Sequence, residues 1–339
     1  MTDWLSPKRL AAAGFVLLAA VTAILFIAPA EETYIFLPHE AQPVEPLVEI
    51  KGARTQMDDE GGIYFVDVLV RKATLIERFF PSIRDGATLV PAEQLNPTGV
   101  SEDVRREGNL REMSRSQRIA AVVALRALGR TVKARPTGAF VASVLPSSPA
   151  TGVLQHGDVI VAVGGKPVRS PQQLRSRIGP KKPGTVVVLT VERGDRTERF
   201  RLKTTAAADG RAVVGIEVEP EVDVSLPVDV RIDAGDVGGP SAGLAFALAI
   251  MEKLGRDVDH GRKVAATGEL ELDGDVLPIG GVEQKTIGAE RADVDVFLVP
   301  AGDNATEARR YADDVRIVGV KTFQQALRAL ATEPVGAPG

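Results

Sequence analysis

The chain has 339 residues, 41 Lys and Arg against 45 Asp and Glu, a net charge of −4 and no cysteine. That balance supplies no basic field for nucleic acid, and the lack of thiols excludes disulfides, thiolate metal sites and a cysteine nucleophile. The three histidines, His39, His156 and His260, lie far apart in unlike contexts, which argues against a Ser-His-Asp triad or a histidine-built metal site. An attacking group in this chain is therefore a hydroxyl, an amine or a carboxylate.

Residues 10–30 carry no charge and as a helix are long enough to cross the ~30 Å core of a bilayer. Lys8 and Arg9 precede this run and Glu31 and Glu32 follow it, so the positive-inside rule places the N-terminus in the cytoplasm and the rest outside. Ala28-Pro29-Ala30 resembles a signal-peptide cleavage site, but the apolar run exceeds the usual ~7–15 residue core of such peptides, which favours an uncleaved anchor. After a Pro-containing acidic connector, residues 47–50 and 63–70 read as strands that a turn at 57–62 would pair as a hairpin. Residues 73–112, with Pro81, Pro91, Pro97 and many charges, read as irregular or partly helical. From 114 to 128, Ile119, Val122, Val123 and Leu125 recur at helical spacing behind Ser114, and Gly129 ends the helix.

Between 134 and 205 the texture changes to short β-rich runs with one helix near 171–178. Gly138-Ala-Phe-Val-x-x-Val144, Ser148-Pro-Ala150, Gly157-Asp-Val-Ile160, Gly164-Gly-Lys-Pro-Val168 and Pro183-Gly-Thr-x-Val-x-Leu-x-Val191, with Arg193-Gly194, together resemble a bacterial PDZ domain. The resemblance implies capture of extended peptide ends by strand addition; a PDZ fold can also serve only to position its neighbours. Gly164 to Lys166 does not complete a phosphate-binding loop because Pro167 follows the lysine. No complete loop of that kind occurs in the sequence, so nothing in it supplies ATP-driven unfolding.

Strand candidates at 213–218 and 224–232 lead into 236–254, D-V-G-G-P-S-A-G-L-A-F-A-L-A-I-M-E-K-L. Here a glycine-proline turn delivers Ser241 onto the first turn of an apolar helix, uncovered by any bulky neighbour. Helix N-termini present unpaired N–H groups suited to an oxyanion, yet an N-cap serine fits the same pattern. A nucleophilic serine needs a base. Lys285 follows the turn Pro278-Ile-Gly-Gly281 onto a helix at 283–292 whose neighbours include Ile287, Ala289 and Ala292. Burial there would lower its pKa from about 10.4 toward a useful range. Lys253 and Lys263 read as ordinary exposed lysines. The C-terminal segment alternates strand (296–299), helix (305–313), strand (315–320) and helix (322–331), the last opened by a Thr322/Gln325 capping box.

Three motifs occur in order: Gly239-Pro-Ser-Ala-Gly243, Ala266-Thr-Gly-Glu269 and Val276-Leu-Pro-Ile-Gly-Gly-Val-x-x-Lys285. Together they resemble the Lon-type Ser/Lys peptidase domain. The resemblance implies that Ser241 is the acyl-forming nucleophile, Lys285 its general base and Thr267 a hydroxyl that holds the lysine. Backbone amides around Gly239 and Ser241 would form the oxyanion hole, with no cofactor and no metal. One position departs: the family often has Asp-Gly before Pro-Ser, whereas this chain has Gly238-Gly239, with Asp236 the nearest acid that could take that part.

The runs at 47–70 and the helix from 114 resemble the first strands and helix of the same peptidase domain, so the PDZ unit reads as an insertion. The expected division is a cytoplasmic N-terminus (1–9), a transmembrane anchor (10–30), a connector (31–45), the first part of the peptidase domain (46–131), the PDZ domain (132–207), the catalytic part (208–332) and a tail (333–339). The whole resembles the membrane-anchored PDZ-Lon proteins of bacteria: an α+β Lon-type domain carrying an inserted β-rich PDZ domain, preceded by one transmembrane helix. That family implies an ATP-independent serine endopeptidase at the cell membrane, its catalytic part extracytoplasmic, acting on protein or peptide substrates, with homo-oligomeric rings. The alternative from another class is a catalytically silent PDZ scaffold that binds peptides.

Overall fold

The computed structural model describes residues 7–53, 61–95, 102–207, 209–235 and 237–332. The chain opens with α1 (Pro7–Ile27), an apolar helix whose window Leu10–Ile27 has mean hydropathy 2.7 and is unburied. It continues into β1 (Pro29–Pro38), so the expected connector is largely strand: Thr33, Tyr34, Ile35 and Phe36 favour extended backbone, and Ile35 is fully buried. Next come β2 (Gln42–Pro43), β3 (Val48–Ile50), β4 (Gly62–Phe65), β5 (Val68–Thr74), α2 (Leu75–Phe79), β6 (Thr88–Pro91), α3 (Ala92–Leu95) and α4 (Glu102–Ala127). Residues 73–112 are thus more regular than expected.

Helix α4 begins a full three turns before Ser114, and the serine is no cap, because its hydroxyl donates to the Leu110 carbonyl at 3.0 Å within the helix. Just ahead of it, Glu112 pairs with His156 rather than with a neighbour on the helix.

The β-rich unit comprises β7 (Lys133–Val144), β8 (Val159–Val163), β9 (Lys166–Pro167), α5 (Pro171–Ile178), β10 (Val186–Arg193), β11 (Arg196–Lys203), β12 (Thr205–Ala206), β13 (Ala212–Val213) and β14 (Ile216–Ser225). Its main sheet has the order β11-β10-β8-β7-β14, with β9 paired to β8. Val141, Ile160, Leu174 and Leu189 fill its core, and Val214 and Ile216 from beyond residue 207 pack into that same core.

The last third holds β15 (Val230–Ile232), α6 (Gly243–Lys253), β16 (Lys263–Ala266), β17 (Glu269–Leu270), β18 (Val276–Leu277), α7 (Val282–Arg291), β19 (Val296–Pro300), α8 (Asp303–Tyr311), β20 (Arg316–Val320) and α9 (Phe323–Thr332). A five-stranded sheet, β2-β4-β16-β19-β20, is parallel from β4 onward. Helices cover both faces: α4, α6 and α9 pack with Phe65, Val264 and Leu298 on one, α7 and α8 with Tyr64, Ala265 and Phe297 on the other. That double cover explains why every residue of β19 is buried.

The expected hairpin of 47–50 with 63–70 does not form. β3 pairs with β15, β4 lies between β2 and β16, and β5 joins β1 and β6 in a separate three-stranded sheet. Val66 and Asp67 part the apolar run into two strands serving different sheets. Of the expected turn, residues 57–60 lie outside the described residues, as does the tail.

At Gly288 of α7 the backbone approaches the β1–β2 connection: its carbonyl accepts the Ala41 N–H at 3.0 Å, and a Cβ there would lie 2.0 Å from the His39 oxygen. Gly288→Ala is expected to lower stability by about 1–3 kcal/mol, read as a lower urea midpoint. Gly280→Ala, with nothing within 4 Å of its Cβ, should leave that midpoint in place.

Candidate active site

Ser241 lies two residues before α6, whose N-cap is Ala242, and no side chain caps that helix. The hydroxyl is therefore not spent as a cap, and the serine lines a cleft of about 880 Å³ together with Lys285. The first turn of the helix starts beyond the serine, not on it as expected. The Ser241 carbonyl accepts two bonds, from the Gly268 N–H at 2.8 Å and from Thr267 Oγ1 at 3.1 Å. These tie the serine loop to the segment after β16.

Gly281, with φ 68°, turns the chain into α7 and aims its first turns at the cleft; a Cβ there would meet Val68 Cγ2 at 2.8 Å. Lys285 follows and is 4 % exposed. Its Nζ donates to Thr267 Oγ1 at 3.4 Å. Burial lowers its pKa to about 8, against the opposing field of Asp67. Asp67 also lines the cleft and sits 2.6 Å from His39 Nδ1. The structure thus gathers Ser241, Thr267 and Lys285, with Thr267 bonded to both of the others.

The oxyanion donors are in a different state. Gly239, at φ +85°, donates its N–H to the Asn109 carbonyl of α4 at 3.0 Å, so that expected donor is occupied. The Ser241 N–H has no partner among the described residues. Ser116 Oγ donates to the Pro240 carbonyl at 2.9 Å, so α4 grips this loop at two points. A Cβ at Gly238 would come within 2.8 Å of the Asn109 Cβ. With α4 so placed, position 238 has no room for an aspartate side chain. Asp236 lies outside the described residues.

The same helix meets the β-rich unit. His156 forms an ion pair with Glu112 at 3.0 Å, and Arg115 reaches Glu219 of β14 at 2.5 Å and Glu269 at 3.8 Å while covering the Phe140 ring. Burial works against a charged His156, but Glu112 outweighs it and raises the pKa. Burial, then Glu219, pushes the Glu269 carboxyl up to about 7. Asn109, Asp67 and Glu269 all line the cleft, and sequence reasoning assigned none of them a part. Glu269 stood in the quoted Ala266–Glu269 motif. Asn109 acts through its backbone and leaves no side-chain signature. Among the described residues, the acidic groups Glu252/Asp257/Asp259 and Glu271/Asp273/Asp275 have metal-like spacing, but both lie outside the cleft lining.

A second groove, of about 630 Å³, runs between α5 and the β13–β14 segment, with Leu174, Ile178 and Ile216 along it and Arg175 and Arg211 beside it. β14 ends the sheet order, so its outer edge is open to another strand.

A buried lysine with a lowered pKa costs stability at neutral pH. Between pH 8 and 10.5 the unfolded chain binds more protons at this site than the folded one, so folding strengthens as pH rises through that window. Lys285→Met is therefore expected to stabilise the fold at pH 7 by up to ~3 kcal/mol, from 10.5 − 8 = 2.5 pH units at about 1.36 kcal/mol each. Urea denaturation at pH 7 and pH 10 should find most of that advantage gone at the higher pH.

The Lon protease (S16) C-terminal proteolytic domain family matches residues 209–332, and the PDZ domain family matches residues 126–204. Among curated relatives, Lon protease 1 of Herpetosiphon aurantiacus is 39% identical over 140 residues, covering 39% of this chain and 17% of its own. Lon protease of Trichlorobacter lovleyi is 38% identical over 127 residues, covering 36% of this chain and 15% of its own. Lon protease 1 of Bacillus subtilis is 37% identical over 102 residues, covering 29% of this chain and 13% of its own. Each match thus spans under a fifth of the relative's length. Among solved structures, the PDZ domain of the SdrC-like protein of Listeria innocua is 33% identical, covering 24% of this chain and 92% of that chain at a TM-score of 0.23. This chain carries the proteolytic domain of the Lon-type (S16) serine peptidases, joined in one polypeptide to a PDZ domain.

Proposed function

We propose that the chain is a serine endopeptidase, anchored in a membrane by α1, that cleaves protein substrates outside the cytoplasm without ATP. The observation that supports this reading is the line from Lys285 Nζ through Thr267 Oγ1 to the Ser241 backbone within one cleft, with the lysine's charge suppressed by burial. In this reading neutral Lys285 takes the Ser241 proton as Oγ bonds to the scissile carbonyl carbon. The lysine then returns that proton to the leaving amine as the C–N bond breaks, which leaves an ester on Ser241. Water attacks the ester and gives its proton to Lys285. The C–Oγ bond breaks, the serine is reprotonated and the acid product departs.

The Ser241 N–H is the oxyanion donor at hand, and the Gly239 N–H joins it once α4 releases that group. The state with Gly239 bonded to Asn109 is then a resting form. That occupied donor is also the observation that favours a silent scaffold, and the two readings differ in whether Ser241 ever reacts. The PDZ groove suits an extended peptide end added along the open edge of β14, its carboxylate drawn to Arg211 and Arg175. The division of the chain into an anchor and a peptidase domain interrupted by the PDZ unit, and assembly into rings, follow the same family reading.

Ser241→Ala and Lys285→Met should each abolish cleavage of an unfolded protein substrate, with and without ATP, in a fluorogenic assay. For the wild type, kcat/KM should rise with pH and level off above about 8, where Lys285 is neutral. Cleavage by Ser241→Ala equal to that of the wild type would sink the peptidase reading at Ser241, and no cleavage by the wild type would return the scaffold reading.

For the groove, fluorescence polarisation should find tighter binding of a peptide with a free carboxylate than of its C-terminal amide. Arg211→Glu should narrow that difference. Equal binding of acid and amide would contradict the docking mode.

A further inference from the structure

We propose that residues 75–83, α2 and the turn after it, form a wedge that seats in the lipid headgroup layer beside α1. The proposal rests on the reading of α1 as a membrane span. The Leu75 N–H donates to the Ala28 carbonyl at 3.0 Å, just past the end of α1, and Thr74 pairs with Pro29. α2 therefore starts where the apolar helix ends, and it packs against that helix. Five helical residues extend about 7.5 Å, close to the depth of one headgroup layer, since a bilayer grows from ~30 Å to ~40–45 Å when both layers are counted. Whatever its tilt, α2 stays near that layer.

The surface it presents is unlike that of a soluble domain. Phe79, Phe80 and Ile83 are 66 %, 58 % and 49 % exposed. Among the described residues outside α1, eight large hydrophobic side chains are exposed, and three of them, Phe79, Phe80 and Ile83, fall within these five positions. A cluster of that kind marks an interaction surface. Arg78 and Arg84 lie among the apolar residues, the mixture that interfacial segments use to meet acyl chains and phosphates together.

The wedge is built rather than loose. Glu77, 2 % exposed, accepts bonds from Arg71 at 2.8 and 2.7 Å, from Arg84 at 3.2 Å and from the Thr74 N–H at 3.0 Å. This knot turns the carboxylate inward and leaves the apolar side chains outside. The segment is also fastened to the cleft. Gln284, the neighbour of Lys285, donates to the Gly86 carbonyl at 3.1 Å and to Thr88 Oγ1 at 2.9 Å. Phe36 of β1 and Val68 to Val70 of β5 line the cleft. Seating the wedge would therefore fix the height of the cleft above the bilayer.

The test uses the full chain in proteoliposomes, with Trp4, the one tryptophan of the sequence, replaced by phenylalanine and a probe introduced by Phe79→Trp. Phe80→Trp serves as a second position and Tyr311→Trp as the control on α8. The proposal expects the probes at 79 and 80 to emit to the blue of the control. They should lose emission to lipids brominated high on the acyl chain and resist aqueous iodide. A chain that survives carbonate extraction but whose probes at 79 and 80 respond to iodide as the control does, and not to brominated lipid, overturns the wedge and leaves the anchor standing. A chain released by carbonate overturns the anchor and the wedge with it.

Discussion

The burial of one amine organises the rest of this molecule. Lys285 can be hidden only because α7 is covered by the parallel sheet on one side and by the small sheet carrying Val68 on the other, and because Gly281 permits the turn that brings the two together. Burial disfavours the ammonium and leaves an amine able to accept a proton near neutral pH. Thr267 accepts one hydrogen bond from that amine and spends its own proton on the Ser241 carbonyl. Position and protonation of the lysine are thus settled by the same packing.

Helix α4 is the second constraint. Its C-terminal half is core, with Ala120, Ala124 and Leu125 fully buried, whereas its N-terminal half runs polar between two units. Asn109 and Ser116 hold the serine loop while Glu112 and Arg115 hold His156 and Glu219. β14 runs from the peptide-sized groove to this cluster in one unbroken strand. Groove, helix and serine loop are therefore joined by one run of contacts that ends at the occupied Gly239 N–H.

How much of this could be read from the residues alone depends on range. Ser241, Thr267 and Lys285 each sit beside a glycine turn that announces itself within a few positions, and the helix after the serine is one continuous apolar run. Long-range pairings leave no such mark. The partner of β3 lies near residue 231, some 180 positions away, so a nearby apolar run made the more obvious mate. Within α4, Glu112 and Arg115 are matched by His156 and Glu219 on the β-rich unit rather than by neighbours in sequence. The glycine at 238 read as a departure from a pattern; its reason, the Asn109 Cβ pressed against it, exists only in three dimensions.

The most direct measurement is the titration of Lys285 itself, by NMR of the full chain with its lysine side chains isotopically labelled and the resonance assigned through Lys285→Met. The account predicts a midpoint near 8 and a shift of that midpoint on Thr267→Val. A midpoint at the ordinary lysine value of 10.5, unmoved by the threonine substitution, would contradict it.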